Sequence, residues 1–250
     1  MAMAPKATSD AQGIGDQDLW VESVDPRAEL GTKVKTTDGR IFRYARNGAV
    51  ALTRGQLQIA PAGFLQDDEH ADIAVNTAAI GDETVTVTLG SVLVTANQYA
   101  GGYLVVNDDT GEGITYGIRS HPAADASASL VVTLSEPILI AFAAATTVTL
   151  VANKWNGVVI STTTQTNVPA GVPNINITIS YYFWLQTGGV CSVLQSGTNT
   201  PTKGEPVTIG EATSGSVSGR DSIAEPEVGI GLDTAISGEY NPVYLTIDRD

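Results

Sequence analysis

Acidic side chains are missing from 68 consecutive residues, the whole stretch between Glu136 and Glu205, and only two bases, Lys154 and Lys203, fall inside it. The chain is not short of acids in general. It carries 27 acids against 13 bases, a formal net charge of -14. A surface facing water normally keeps Lys, Arg, Asp or Glu on it, because those groups are costly to bury unpaired. This stretch instead holds Val, Ile, Ala, Phe and Trp, interleaved with Thr, Ser, Asn and Gln. Much of it is therefore expected to be covered, inside the subunit or against other copies.

Other scarcities exclude whole classes. A single cysteine, Cys191, rules out an intrachain disulfide framework. Its neighbours Val190, Val193 and Leu194 mark it as a small core residue rather than a nucleophile. No apolar run approaches the ~18 residues of a membrane span, so no membrane partner is expected. Residues 1–15 lack the apolar core of a secretory signal. Charged residues make up 16% of the chain, against roughly a quarter in typical soluble domains. A pI near 4.4 implies repulsion from nucleic acid and anionic lipid. No segment longer than a few turns shows a 3.6-residue apolar period, so long helices are not expected.

The catalytic inventory is equally thin, and the chain reads as a non-enzyme without cofactor or metal. His70 follows Asp67, Asp68 and Glu69, which read as a solvated acidic loop without calcium-loop spacing. His121 precedes Pro122 with no cysteine or second histidine nearby, and reads as a surface histidine. Residues 107–113 resemble a metal loop but lack its alternating ligands; a tight turn between strands explains them. Gly215-Ser216-Val217-Ser218-Gly219 has valine where a nucleophile elbow needs serine. Neither Gly13-Ile14-Gly15 nor Gly111-Glu112-Gly113 has the third glycine of a nucleotide loop.

What is present is a series of short β-prone runs. Residues 32–37, Asp38-Gly39 and residues 40–46 read as a hairpin, with Asp-Gly as the turn signal. Ile41, Arg43 and Ala45 fall on one face, Phe42 and Tyr44 on the other. Further runs cover residues 84–89, 91–95, 103–106, 114–119, 130–134, 138–142, 147–151 and 157–161, each bounded by Gly, Pro, Asn or Asp. Residues 175–184 form the longest run, and Gly188-Gly189 then reads as a turn into 190–194. A Gly/Ser/Thr-rich stretch over 196–219 precedes last strands at 228–232 and 243–247. The spacing of about ten residues predicts an all-β, short-stranded sandwich or barrel. Residues 1–30 read as an extended N-terminal arm, 31–62 as a small β unit that docks a partner, and 63–250 as the main β domain. That domain divides near 156 if it forms two subdomains.

Two groups of side chains stand out as surfaces. Six of the thirteen bases, Lys33, Lys35, Arg40, Arg43, Arg46 and Arg54, fall within residues 33–54, where Asp38 is the one acid. A solvated hairpin face and a docking surface for an acidic partner both fit this strip, with Trp20 of the arm as an anchor. The rings Trp155, Tyr181, Phe183 and Trp184 lie inside the charge-poor stretch, where core or subunit-interface packing suits them better than sugar stacking.

Several motifs, in order, carry a resemblance. Leu30-Gly31-Thr32, Asp38-Gly39-Arg40, Phe42-Arg43-Tyr44, Gly55-Gln56-Leu57-Gln58 and Ala60-Pro61-Ala62 are followed by residues 153–160, 168–173, 183–189 and 242–247. Together they resemble virion structural proteins of tailed bacteriophages, in the capsid decoration (cement) or head class, over most of residues 30–247. The resemblance implies β-rich subunits, homotrimers, seated on the outer face of an icosahedral head. It implies the major capsid protein as partner, the virion surface as location after synthesis in the host cytoplasm, no cofactor and no catalytic residues; the acidic charge in turn argues against a nucleic-acid partner. A host-surface or glycan-binding module, and another head or tail component, are the competing expectations.

Overall fold

A computed structural model describes residues 17–65, 70–165 and 167–248. Among these the protein is all-β, with no helix. Three strands come first: β1 (Lys33–Lys35), β2 (Ile41–Asn47) and β3 (Gln58–Ile59). Six follow: β4 (Ile73–Ala74), β5 (Thr84–Thr88), β6 (Tyr103–Asp108), β7 (Thr115–Ser120), β8 (Ser129–Leu134) and β9 (Thr147–Val151). The last seven are β10 (Asn156–Ile160), β11 (Pro169–Pro173), β12 (Tyr182–Leu194), β13 (Pro206–Ile209), β14 (Val217–Gly219), β15 (Gly229–Gly231) and β16 (Tyr240–Thr246).

The chain separates into two units. One is Ala62–Lys154; the other combines the chain up to Pro61 with the chain from Trp155 onward. The strands on either side of the break, β3 and β10, pair antiparallel through Ile59–Val159 and Gln58–Ile160. The chain therefore leaves the outer unit from one strand and re-enters it on that strand's neighbour. Residues 62–154 are an insertion between paired strands, an arrangement that leaves the host sheet unbroken.

The inserted unit is a six-stranded antiparallel barrel in the order β4-β9-β6-β7-β8-β5. A bridge from Val75 to Val87 closes the ring. Its strands alternate cleanly, as period-2 sequences with one buried face should. In β5, Val85 and Val87 point inward while Thr84 and Thr88 face out. The inward residues form one core of Leu104, Tyr116, Ile118, Leu130, Leu134, Leu150 and their neighbours. Of the expected turn over 107–113, Asn107 and Asp108 still belong to β6, and residues 109–114 make the turn of the β6–β7 hairpin, with Asp109, Gly111 and Gly113 at positive φ. Residues 91–95 and 138–142 do not form strands; each contributes an isolated bridge, Val94 to Ala124 and Ala78 to Phe142.

The outer unit is a ten-stranded sheet, β1-β2-β10-β3-β11-β12-β16-β15-β13-β14. An added β2–β12 pairing closes β2, β10, β3, β11 and β12 into a ring. The expected hairpin is present: β1 and β2 pair with Val34 opposite Phe42, and Gly39 takes the positive φ of the turn. Residues 31–62, expected to stand as a unit of their own, are built into this sheet. The physical reason is the β2–β12 ladder, which sets Tyr44 opposite Trp184 and Ala45 opposite Phe183.

The thirteen-residue β12 organises this unit. Residues 175–181, expected to begin the longest strand, instead lead into it, with Ser180 at positive φ. Gly188 and Gly189 do not turn the chain; the strand runs through them. A Cβ on Gly188 would meet Ile41 at 2.9 Å, and one on Gly189 would meet the Arg40 backbone at 3.0 Å. The glycines allow this close approach where the β2–β12 register shifts between Gln186 and Gly188. Phe183 and Leu185 enter one core with Ala45 and Val158. Trp184 enters a second with Leu19, Val34, Phe42 and Tyr44. Cys191 and Val193 enter a third with Val207, Val217, Val243 and Leu245. The Gly/Ser/Thr-rich residues 196–219 also hold two strands, β13 and β14, in which small buried residues such as Ser218 permit tight packing.

Candidate docking surfaces

The segment expected to be a free arm lies against its own sheet from Gln17 onward; residues 1–16 fall outside the described residues. Gln17 is the clamp. Its amide nitrogen donates to the carbonyls of Val21 (2.6 Å) and Tyr182 (2.9 Å), and its Oε1 accepts from the Tyr44 hydroxyl at 2.6 Å. Its own carbonyl accepts from the Trp184 indole at 3.1 Å. Ser23 forms a bridge with Tyr182, and the Glu22 carboxylate accepts from Thr178 N and Oγ1. These bonds satisfy the polar ends of two buried rings, which would otherwise be costly to desolvate.

The basic strip is largely committed to the same chain. Arg40 pairs with Asp38 at 2.8 Å and lies over the rings of Trp20 and Phe42. Thr36 also donates to Asp38, and that bond, the largest influence on it, holds its carboxyl below the usual range. Arg43 makes a two-pronged pair with Asp248, at 2.7 and 3.2 Å, donates to the Gly31 carbonyl at 2.7 Å and covers Trp155. Arg46 lies over Tyr182. Lys33 and Lys35 sit on β1, the end strand of the sheet, where lysine discourages pairing with a foreign strand. Arg54 stands apart, exposed beside a pocket of about 410 Å³ lined by Thr53, Gly55, Asn174, Asn176, Ser192 and Tyr240. The strip is thus a set of intramolecular cation–ring and ion-pair contacts on β1 and β2, not one continuous patch of uncommitted charge. Trp20 keeps 37% of its surface exposed, edge-on to Phe42.

The rings expected at a subunit interface divide. Phe183 and Trp184 are core residues, 0% and 1% exposed, because β12 is covered on both faces by its own chain as far as Gly189. Tyr181 and Trp155 are partly buried and pack against the core of Ala45, Val158 and Phe183. Tyr182 of the same aromatic run stacks on Tyr44 at 6.0 Å.

The titratable candidates hold structure together. His121 is buried rather than on the surface: its Nε2 accepts from Tyr99 N at 2.9 Å, and its Nδ1 lies 2.8 Å from the Pro122 carbonyl. Burial pushes its pKa down, so the ring stays neutral. His70 is also buried, edge-on to Tyr99; Asp67, Asp68 and Glu69 lie outside the described residues. Burial pushes the Cys191 thiol up to about 12, the behaviour of a core residue.

A surface that sequence reasoning missed lies on β12, β15 and β16. Val190 sits opposite Tyr244, and Tyr244 opposite Ile230. Ser192 sits opposite Pro242, whose carbonyl accepts from Leu232 N. Directly paired residues share a face, so these side chains form one outward patch with Tyr240. The signal was available: residues 243–245 read Val-Tyr-Leu, apolar in both phases, as expected of a strand covered on both sides.

No family model matches the chain, and neither the curated proteins nor the solved structures compared with it show a match.

Proposed function

We propose that this chain is a structural virion protein of a tailed bacteriophage, which binds the outer surface of the capsid as a homotrimer and decorates or stabilises it. The single observation that carries this reading is the outward patch on β12, β15 and β16. A sheet face turned to water normally carries charge, and the paired residues at the centre of this one, Val190, Tyr244, Ile230, Ser192 and Pro242, carry none in a chain of net charge -14. A protein built to be covered suits assembly at many equivalent sites, where weak contacts add through effective concentration. The ordered motifs over residues 30–247 resemble phage virion proteins and supply the capsid context. In this reading the partner is the major capsid protein, the location is the capsid surface, and the protein is not an enzyme. Trp20, Arg54 and the β1 lysines are the groups that face the shell.

The test is co-sedimentation with undecorated heads of the phage whose genome encodes the protein. Saturable binding to heads is the expected result. Failure to bind at any protein-to-head ratio overturns the capsid role.

A second reading, a host-surface or glycan-binding module, has one observation on its side. The pocket beside Arg54 is lined by Asn174, Asn176, Ser192 and Tyr240, the group types that hold sugars, although Asn174 donates to Gln186 and Asn176 accepts from Arg54 N. A glycan array distinguishes the two: selective binding abolished by Asn176→Ala favours the module over the decoration protein.

A further inference from the structure

The outward patch has a composition that selects its partner. Val190, Tyr244 and Ile230 run across β12, β16 and β15 in one row and are 53%, 46% and 37% exposed. Pro206 of β13 continues that row opposite Ile230 and is exposed. Ser192, Pro242 and Leu232 form the next row, and Tyr240 lies beyond it at 48% exposure. The named residues carry no charge; Arg220, paired with Glu227, follows Pro206 at one edge of the patch, and Arg54 lies beside Ser192 and Tyr240 at another. The opposite face of the same strands is fully used, since Cys191, Val193, Val243 and Leu245 fill a core. The patch is therefore a second apolar face on a sheet whose first is already buried.

We infer that this face is the contact between copies of this chain. Charge decides the occupant. In a closed ring of identical subunits both sides of every contact are drawn from the same acidic chain, and charges near the axis meet their own copies. A chain carrying -14 can bring copies together only where its surface is free of that charge. A foreign partner would instead be steered to an acidic molecule by complementary charge, which the centre of this face lacks. Size agrees. Residues with these exposures present on the order of 600 Å² per copy, near the ~800 Å² per partner of a standard interface and at the upper end of what monomers leave exposed. The two tyrosines on β16, Tyr240 and Tyr244, are the residue type that anchors such contacts.

This assignment rests on the assembly half of the proposed function and is independent of the capsid half. The experiment is sedimentation equilibrium of the full chain from about 1 to 100 μM, spanning ordinary subunit affinities. The double variant Val190→Glu, Tyr244→Glu tests the face, and Tyr103→Glu, at an exposed position of the inserted barrel, is the control. The wild type and the control are expected to associate, and the double variant to weaken association at least about 100-fold, with an unchanged circular-dichroism spectrum. Should the double variant fold poorly, Tyr244→Ser replaces it, with at least about 10-fold weakening expected. A wild type that stays monomeric overturns the inference, as does a folded face variant that associates like the wild type. A monomeric wild type whose face variant loses head binding assigns the face to the shell and also overturns it. An associating wild type that ignores heads leaves this contact standing and removes the capsid role.

Discussion

The inserted barrel and the outer sheet solve the same packing problem in different ways. In the barrel every strand has one wet and one dry face, and twenty buried residues among those described share a single core. In the outer unit three smaller cores are arranged around β12, and that strand buries side chains to both sides. A strand with two dry faces cannot place its stability in one cluster. It depends on what covers each face: β2 and the segment from Gln17 on one end, β16 and β13 on the other. The barrel is self-sufficient by closure, whereas the outer sheet still has one apolar face uncovered.

The largest expected effect is at the centre of the two-faced strand. Trp184→Ala removes a buried indole and its bond to the Gln17 carbonyl, and should lower the stability of the outer unit by about 3–5 kcal/mol. Leu104→Ala in the barrel should cost about 2–5 kcal/mol but act on the barrel's transition. Urea unfolding followed by tryptophan fluorescence separates the cases, because Trp20, Trp155 and Trp184 all belong to the outer unit. If Leu104→Ala moved the tryptophan transition as far as Trp184→Ala does, the contrast between the units would collapse.

Gly188→Ala comes next. The added carbon would lie 2.9 Å from Ile41 and 3.1 Å from the Asp248 carbonyl. Overpacking of this kind should cost about 1–3 kcal/mol. Gly197→Ala, whose added carbon would meet nothing closer than 3.8 Å, should cost about 1 kcal/mol or less in the same titration.

These glycines also show where the sequence was readable and where it was not. The barrel strands were legible because Val85/Val87 and Val148/Leu150 alternate with threonines, so one face announces itself. In β12 the run Phe183-Trp184-Leu185 has no dry-and-wet rhythm, and Gly188-Gly189 carries the same letters as a turn. Only the approach of Ile41, distant in sequence, reveals why glycine is needed there. β13 and β14 were hidden for a related reason. Ser216 and Ser218 look like loop residues, but they are buried because the backbones come close. The charge gap between Glu136 and Glu205 was a true sign of burial for Phe183, Trp184 and Val193. The exposed patch, however, extends to Tyr240–Thr246, outside that gap, and follows from cross-strand pairing alone.

A smaller effect is expected on the basic strip. Arg43→Ala breaks the two-pronged pair with Asp248 and its bond to the Gly31 carbonyl, and should cost about 1–2 kcal/mol. Arg46→Ala loses a ring contact and one long bond to the Ser180 carbonyl, and should cost about 0.5 kcal/mol. Equal losses for the two would mean that the Asp248 pair contributes little.

The smallest effect separates the units by pH. His121 is held neutral in the barrel by burial, below its ordinary value of 6.5. As pH falls through 6.5 the unfolded chain takes up a proton that the folded barrel resists, so stability is lost toward acid. His121→Gln should flatten that dependence for the barrel and leave the outer unit's pH profile unchanged. Parallel profiles for wild type and variant would remove His121 as the cause.

The most direct measurement is an electron-microscopy map of phage heads incubated with the protein. Symmetry-ordered density on the outer capsid surface, with copies touching through Val190, Ile230 and Tyr244, is the expected result. Bare heads, density confined to the tail, or copies meeting through any other face would contradict it.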